Sequence, residues 1–210
     1  MRPSAENIFL EGPAGKLEAL LESQRGPAPV ATAVVCHPHP AHGGTMQNKV
    51  VHTLGRAFVG QGFNVLRFNF RGTGSSDGEY DEGRGELLDA LAAAHWMRNR
   101  EPALPLWLAG FSFGGMIAIR ASIEAQPDGL VSVAPAVSRF ADNLASQPGC
   151  PWLIAQGDQD ELVDIDDTVE WINRLDPGPE LSVFPDTTHF FHGKLVLLRQ
   201  AVQDFVAANS

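Results

Sequence analysis

Six short apolar runs recur along this chain: VATAVVC (30–36), NVLRFNF (64–70), LPLWLAGF (104–111), GLVSVAP (129–135), PWLIAQG (151–157) and ELSVFP (180–185). Each is four to eight residues of mostly β-branched or bulky side chains bounded by Gly or Pro, the pattern of a strand buried on both faces. Helix-like stretches separate most of them. In NKVVHTLGRAFVGQG (48–62), Val50, Val51, Leu54, Phe58 and Val59 make one apolar face, with Asn48 placed to cap and Gly62 to stop the helix. GELLDALAAAHWMRNR (85–100), GMIAIRASIEAQ (115–126), DDTVEWINRL (166–175) and a C-terminal segment over roughly 193–208 complete the set. Strand and helix in turn require right-handed crossovers, so the chain is expected to be α/β, a mostly parallel sheet with helices on both faces. Ahead of this pattern, NIFLE (7–11) and KLEALLE (16–22), separated by GPAG, read as an N-terminal hairpin, although LEALLE alone would also suit a helix.

The length, 210 residues with 44% apolar and 19% charged content, suits one domain spanning 1–210. A formal net charge of −10 repels phosphate backbones and anionic bilayers, so neither nucleic acid nor a membrane surface is an expected partner and a small-molecule substrate is. The N-terminus MRPSAENIFLEG has acidic residues where a secretory signal needs an apolar core, and no run approaches the ~20 apolar residues of a membrane span. A cytoplasmic location is expected. Cys36 and Cys150 read as free thiols that pack as small hydrophobes.

In parallel sheets chemistry collects at the carboxyl ends of strands. There, between LPLWLAGF and the helix that follows, stands Gly110-Phe111-Ser112-Phe113-Gly114. The spacing GxSxG at a strand–turn–helix junction is that of a nucleophile elbow: Gly110 and Gly114 leave room for a turn tight enough to thrust the Ser112 hydroxyl clear of the sheet. A serine hydroxyl needs a base to take its proton and an acid to orient that base, and in this architecture acid and histidine follow in that order after later strands. Asp160, in GxxDxxV after PWLIAQG, is the expected acid, with Asp158 and Asp164 as alternatives; His189, directly after the strand ELSVFP and its turn, is the expected base rather than His192.

The loop HPHPAHGG (37–44) packs three of the chain's seven histidines into six positions. Pro38 and Pro40 have no N–H, which leaves His39 as the amide between them; with the amide of Phe113, it is the expected oxyanion hole. The competing use is His-x-His-x-x-His as zinc ligands, but Ala41 stands where binuclear zinc hydrolases carry an aspartate, and the expectation is no metal. The turn Gly72-Thr73-Gly74-Ser75-Ser76-Asp77 falls short of a dinucleotide fingerprint, with Asp77 in place of the third glycine, so no cofactor is expected. Arg71 ends a strand, where it can meet a substrate carboxylate or simply tie down its own Gly-rich turn. Phe70, Phe111, Phe113, Phe190 and Phe191 suit either an aromatic acyl pocket or the core.

The segments HPHPAHGGTMQNKVVHTLGRAF, VLRFNFRGTGSSDGEYDEGRGE, GFSFGG and THFFHG resemble the α/β-hydrolase superfamily, and within it a bacterial group of small serine hydrolases related to dienelactone hydrolases. The resemblance runs over nearly the whole chain. It implies a sheet of about eight strands with the second antiparallel, and a triad of Ser112, Asp160 and His189. Serine stands where dienelactone hydrolases use cysteine, so their substrate does not carry over. Residues 136–150, between two strands, are too few for the lid domain that lipases carry there. The expected activity is therefore that of a serine esterase acting on small carboxylic esters. A thioesterase or peptidase would use the same machinery, and the zinc-dependent hydrolase is the remaining alternative.

Overall fold

Leu17, Ala19 and Leu21 are buried and alternate with the more exposed Lys16, Glu18 and Leu20, a period of two that makes LEALLE a strand and not a helix. The structure, a computed structural model, describes residues 4–140 and 146–210. Strand β2 (Gly15–Ser23) pairs antiparallel with β1 (Ser4–Gly12) in a hairpin and antiparallel again with β4 (Phe63–Phe68). From β4 onward the pairing is parallel, through β3 (Ala31–Cys36), β5 (Leu106–Phe111), β6 (Gly129–Val133), β7 (Trp152–Gly157) and β8 (Glu180–Phe184). The result is one eight-stranded sheet in the order β1-β2-β4-β3-β5-β6-β7-β8, with the second strand reversed.

Alternation along the central strands divides the core into two layers. Val34 and Cys36 of β3, with Leu106 and Leu108 of β5, face helices α2 (Arg84–Arg100) and α3 (Phe113–Ala125). Ala33 and Val35, with Trp107, Ala109 and Phe111, face α1 (Lys49–Gly60) and α6 (Leu195–Asn209). Helix α1 seats Val50, Val51, Leu54, Phe58 and Val59 in that second layer; complete burial of a Leu or Phe side chain contributes roughly 1.5–3 kcal/mol. Its start is fixed by the Asn48 side chain, which accepts from the Val50 N–H at 2.8 Å, a cap worth about 1 kcal/mol. Gly62, at φ +87°, lets the chain leave the helix and enter β4.

Two short elements are not apparent in the periodicity: a 3-10 turn at Pro40–His42 and α4 at Val137–Phe140. Of the stretch 136–150, too short for a lid domain, residues 141–145 lie outside the described residues. Helix α5 (Ile165–Ile172) follows β7.

The topology places a crevice. Strands β3 and β5 are neighbours, but β3 leads to α1 on one face of the sheet and β5 leads to α3 on the other. Loops leaving adjacent strands in opposite directions open a gap at the carboxyl edge, the switch point at which such sheets hold their ligands. HPHPAHGG and Ser112 occupy its two sides.

Candidate active site

Ser112 links β5 to α3 with φ +56° and ψ −117°, a conformation that costs a non-glycine residue on the order of 1–3 kcal/mol. Its N–H donates to the Val133 carbonyl at 2.8 Å, and its carbonyl accepts from the Met116 and Ala136 N–H groups. The strained turn is thus pinned on both sides. The hydroxyl makes no capping bond to α3 and points outward. The two glycines earn their positions by close approach: a Cβ on Gly110 would lie 2.1 Å from the Gly114 carbonyl oxygen, and one on Gly114 would lie 2.3 Å from that of His37. A side chain at Gly110 would push the first turn of α3 off the end of β5, and one at Gly114 would force the elbow away from the loop that begins at His37.

Three loops deliver the remaining groups. Ser112 Oγ is 3.0 Å from His189 Nε2, and His189 Nδ1 is 2.8 and 3.0 Å from the two oxygens of Asp160. His189 is buried against the rings of Phe111 and Phe190. Its backbone N–H donates to Glu161 Oε2 at 3.1 Å. The Asp160 carboxylate accepts from the Leu162 and Val163 amides at 2.9 and 2.8 Å and from Gln156 Nε2 at 3.0 Å. Burial alone raises its pKa, but the His189 hydrogen bond and charge and the two amides outweigh that and hold the carboxyl below its ordinary value. An ionised Asp160 requires the proton of the pair on His189 Nδ1, which leaves Nε2 open to the serine.

The other carboxylates of this loop are committed elsewhere. Asp164 caps α5 by accepting from the Asp166 N–H at 2.7 Å, and Asp158 accepts from the Thr187 N–H. His192 is exposed and stacks on Phe190.

HPHPAHGG closes around its own carbonyls. The His39 C=O accepts from the His42 and Gly44 N–H groups, and a Cβ on Gly44 would lie 2.0 Å from the Pro38 oxygen. His37 is fully buried; its Nε2 accepts from the Phe70 N–H at 3.0 Å and its Nδ1–H donates to the Pro38 carbonyl at 2.6 Å. Desolvation pulls its pKa down to about 4, so the ring is neutral. His39 Nδ1 accepts from the Ala41 N–H, which puts the proton on Nε2, and that N–H points to the Tyr80 hydroxyl at 3.0 Å. The His39 ring also stacks on His42 and tilts against Phe113. With both nitrogens of His37 and of His39 engaged, this histidine set does not fit a metal, and no group of three or more metal-ligating side chains occurs among the described residues.

His39 and Phe113 line a cleft of about 120 Å³ together with Ser112, Ala136, Ser138 and Val163. Arg71 is not brought there. Its guanidinium forms a two-pronged ion pair with the fully buried Asp89 of α2, at 2.8 and 3.0 Å, which fastens the loop after β4 to that helix. The pairing leaves it no fork for a substrate. The GTGSSD turn is likewise fastened to β2, through Ser75 N–H to Glu18 and Lys16 N–H to Asp77, and offers no phosphate cradle. Phe70, Phe111 and Phe191 are core residues; Phe190 is partly exposed at the rim. Gln156, Glu161 and Tyr80, which support the site, have no motif of their own. Only the adjacency of Glu161 to Asp160 marked any of them.

Residues 29–147 match the protein family described as serine aminopeptidase, S33. The chain belongs to that family. As an α/β hydrolase it is similar in structure to a serine hydrolase of Xanthomonas campestris, described as lacking a lid: 41% identical, TM-score 0.93, covering 98% of this chain and 94% of the other. An α/β serine hydrolase homologue from Coxiella burnetii is also 41% identical, with a TM-score of 0.90 over 95% of this chain and 96% of its own. An uncharacterised protein of Rickettsia prowazekii is 33% identical over 95% of this chain and 87% of its own. This α/β serine hydrolase brings Ser112, Asp160 and His189 together at the carboxyl edge of its sheet.

Proposed function

We propose that the protein hydrolyses small carboxylic esters through an acyl-enzyme on Ser112. The observation that carries the proposal is the unbroken hydrogen-bonded line from Ser112 Oγ through His189 to Asp160. His189 Nε2 takes the hydroxyl proton as Oγ bonds to the ester carbonyl carbon. The oxyanion that forms is received by the N–H of Phe113, at the start of α3, and that of His39. Collapse breaks the bond to the alcohol oxygen, which leaves with the proton from His189 Nε2. Water then repeats the sequence against the acyl-enzyme, releasing the acid and restoring the serine. Asp160 stays ionised throughout and keeps the imidazole in the required tautomer.

The family description names an aminopeptidase, and such an enzyme must neutralise a substrate ammonium. Neither cleft at Ser112 has a carboxylate among its described lining residues, which favours a neutral ester. A thioester would meet the same groups. Parallel turnover of matched aryl esters, thioesters and aminoacyl amides ranks the three.

The decisive test is labelling of the purified protein with a fluorophosphonate, with the adduct mapped by mass spectrometry. Ser112 is expected to be the labelled residue, and the label to be lost in His189→Ala. Ser112→Ala is expected to lower ester turnover by on the order of 10⁴ to 10⁶. Near-full activity in that variant would refute the assignment.

A further inference from the structure

Ser112 stands where two clefts meet, and they differ in size and in what borders them. His39, His42, Ser112 and Leu162 line both. The smaller, about 120 Å³, continues past Phe113 to Ala136, Ser138 and Val163. The larger, about 240 Å³, continues past His189 and Phe190 to Gly43, Gly44 and Asn48. Resting on the serine-esterase proposal above, the geometry points to a divided substrate: a short acyl chain in the smaller cleft and a ring-sized alcohol in the larger.

The assignment of sides follows from the proton. The departing oxygen must take its hydrogen from His189 Nε2, so the alcohol lies on the side that His189 borders. The acyl chain is attached to the same carbon and must leave by the other side, past Phe113. Size then sets the class. At the roughly 30 Å³ that a water-sized group occupies in a liquid, the smaller cleft takes about four non-hydrogen atoms and the larger about eight. Chains of up to about five carbons therefore fit, and longer ones push out over Ser138 into solvent. On the alcohol side, the partly exposed Phe190 ring, with His42 in the same cleft, gives an apolar surface beside the polar Asn48 and the space next to Gly43, where a Cβ would meet nothing within 4 Å. That mixture suits an aromatic or similarly ring-shaped alcohol.

The test uses two ester series on the full-length protein. In the first, a p-nitrophenyl leaving group is held constant while the acyl chain runs from acetyl to dodecanoyl. In the second, a butanoyl group is carried by methyl, phenyl and naphthyl alcohols. kcat/KM is expected to peak between propanoyl and pentanoyl and to fall about 10-fold or more by octanoyl. Phenyl butanoate is expected to exceed methyl butanoate beyond the difference in their alkaline hydrolysis rates. Two variants separate the sides. Ser138→Phe, at an exposed position, should lower the pentanoyl-to-acetyl ratio several-fold without moving the phenyl-to-methyl ratio, and Phe190→Ala should do the reverse. An active enzyme with flat series, or with the two variants moving each other's ratio, would overturn the division while leaving the esterase proposal intact. No ester turnover together with no fluorophosphonate label on Ser112 would overturn both.

Discussion

His37 begins the loop over the active site, yet its contribution is to be neutral and stay so. Burial lowers its pKa from 6.5 to about 4, and the tautomer that accepts from Phe70 and donates to Pro38 would lose its acceptor on protonation. The unfolded chain binds a proton near pH 6.5 and the folded chain does not until about pH 4. The stabilisation is thus complete above pH 6.5 and is lost as pH falls towards 4. By pH 5 the loss is about 2 kcal/mol. His52, whose pKa is lowered by desolvation and by Arg67, adds to the same slope, so the measurement is a difference. Urea unfolding of the parent and of His37→Asn at pH 7.5 and pH 5 should show the variant weaker at pH 7.5 and markedly less sensitive to acid. Equal acid sensitivity in the two proteins would refute the neutral-histidine account. Asp160 acts in another window. Its depressed pKa contributes stability above the ordinary carboxylate range, lost only as pH falls below it, so the two effects separate.

The end of the β3–α1 loop is clamped by groups from two strands that are remote in sequence. Arg67 of β4 donates to the Met46 carbonyl at 2.5 Å and to Glu22 of β2 at 2.7 Å, both charged partners being buried. Asn69 accepts from the Met46 N–H at 2.8 Å and donates to Glu18 at 2.8 Å. Arg67→Met strands the Glu22 charge and should cost about 3–5 kcal/mol. The double variant Glu22→Leu, Arg67→Met should recover most of that loss, since two apolar side chains replace two buried charges. Its kcat/KM should nonetheless stay about 10-fold down, because Met46 has lost its donor and the His39 loop is loosened. A double variant that recovers stability and activity together would show that the clamp does not position the loop. None of this is legible along the chain. The pair depends on the antiparallel register that sets Leu20 opposite Arg67 and Glu22 opposite Val65, and register is a non-local property. By contrast, the α1 cap at Asn48 is readable because its partner Val50 is two residues away, and the elbow at Ser112 because its GxSxG spacing is local, although Val133, Ala136 and His37 hold it in place. That Asp160 and His189 follow successive strands is readable because the alternating runs place the loops after β7 and β8 at the same sheet edge.

At the scale of the whole molecule, the alternating runs specify the sheet, and the sheet gathers the carboxyl-edge loops around one crevice. Those loops are acidic. Asp77, Glu79, Asp81 and Glu82 follow β4, Asp158, Glu161 and Asp164 follow β7, and Asp186 follows β8. Arg71 is taken up by Asp89, and Arg84 offsets one charge of the Asp81 and Glu82 pair, so the carboxylates of these loops remain in excess. With a formal net charge of −10, the field at the mouth opposes anionic substrates. Exposed charges farther apart than about 10 Å are screened in 0.1 M salt, so this opposition is strongest in dilute buffer. Two p-nitrophenyl esters of equal acyl length test it, one neutral and one ending in a free carboxylate. From 10 mM to 300 mM salt, kcat/KM for the anionic ester should rise about 5-fold, whereas that for the neutral ester should change less than about 1.5-fold. Equal salt responses would mean that the acidic loops do not reach the reacting carbonyl electrostatically. Selection would then rest on the shape of the two clefts alone.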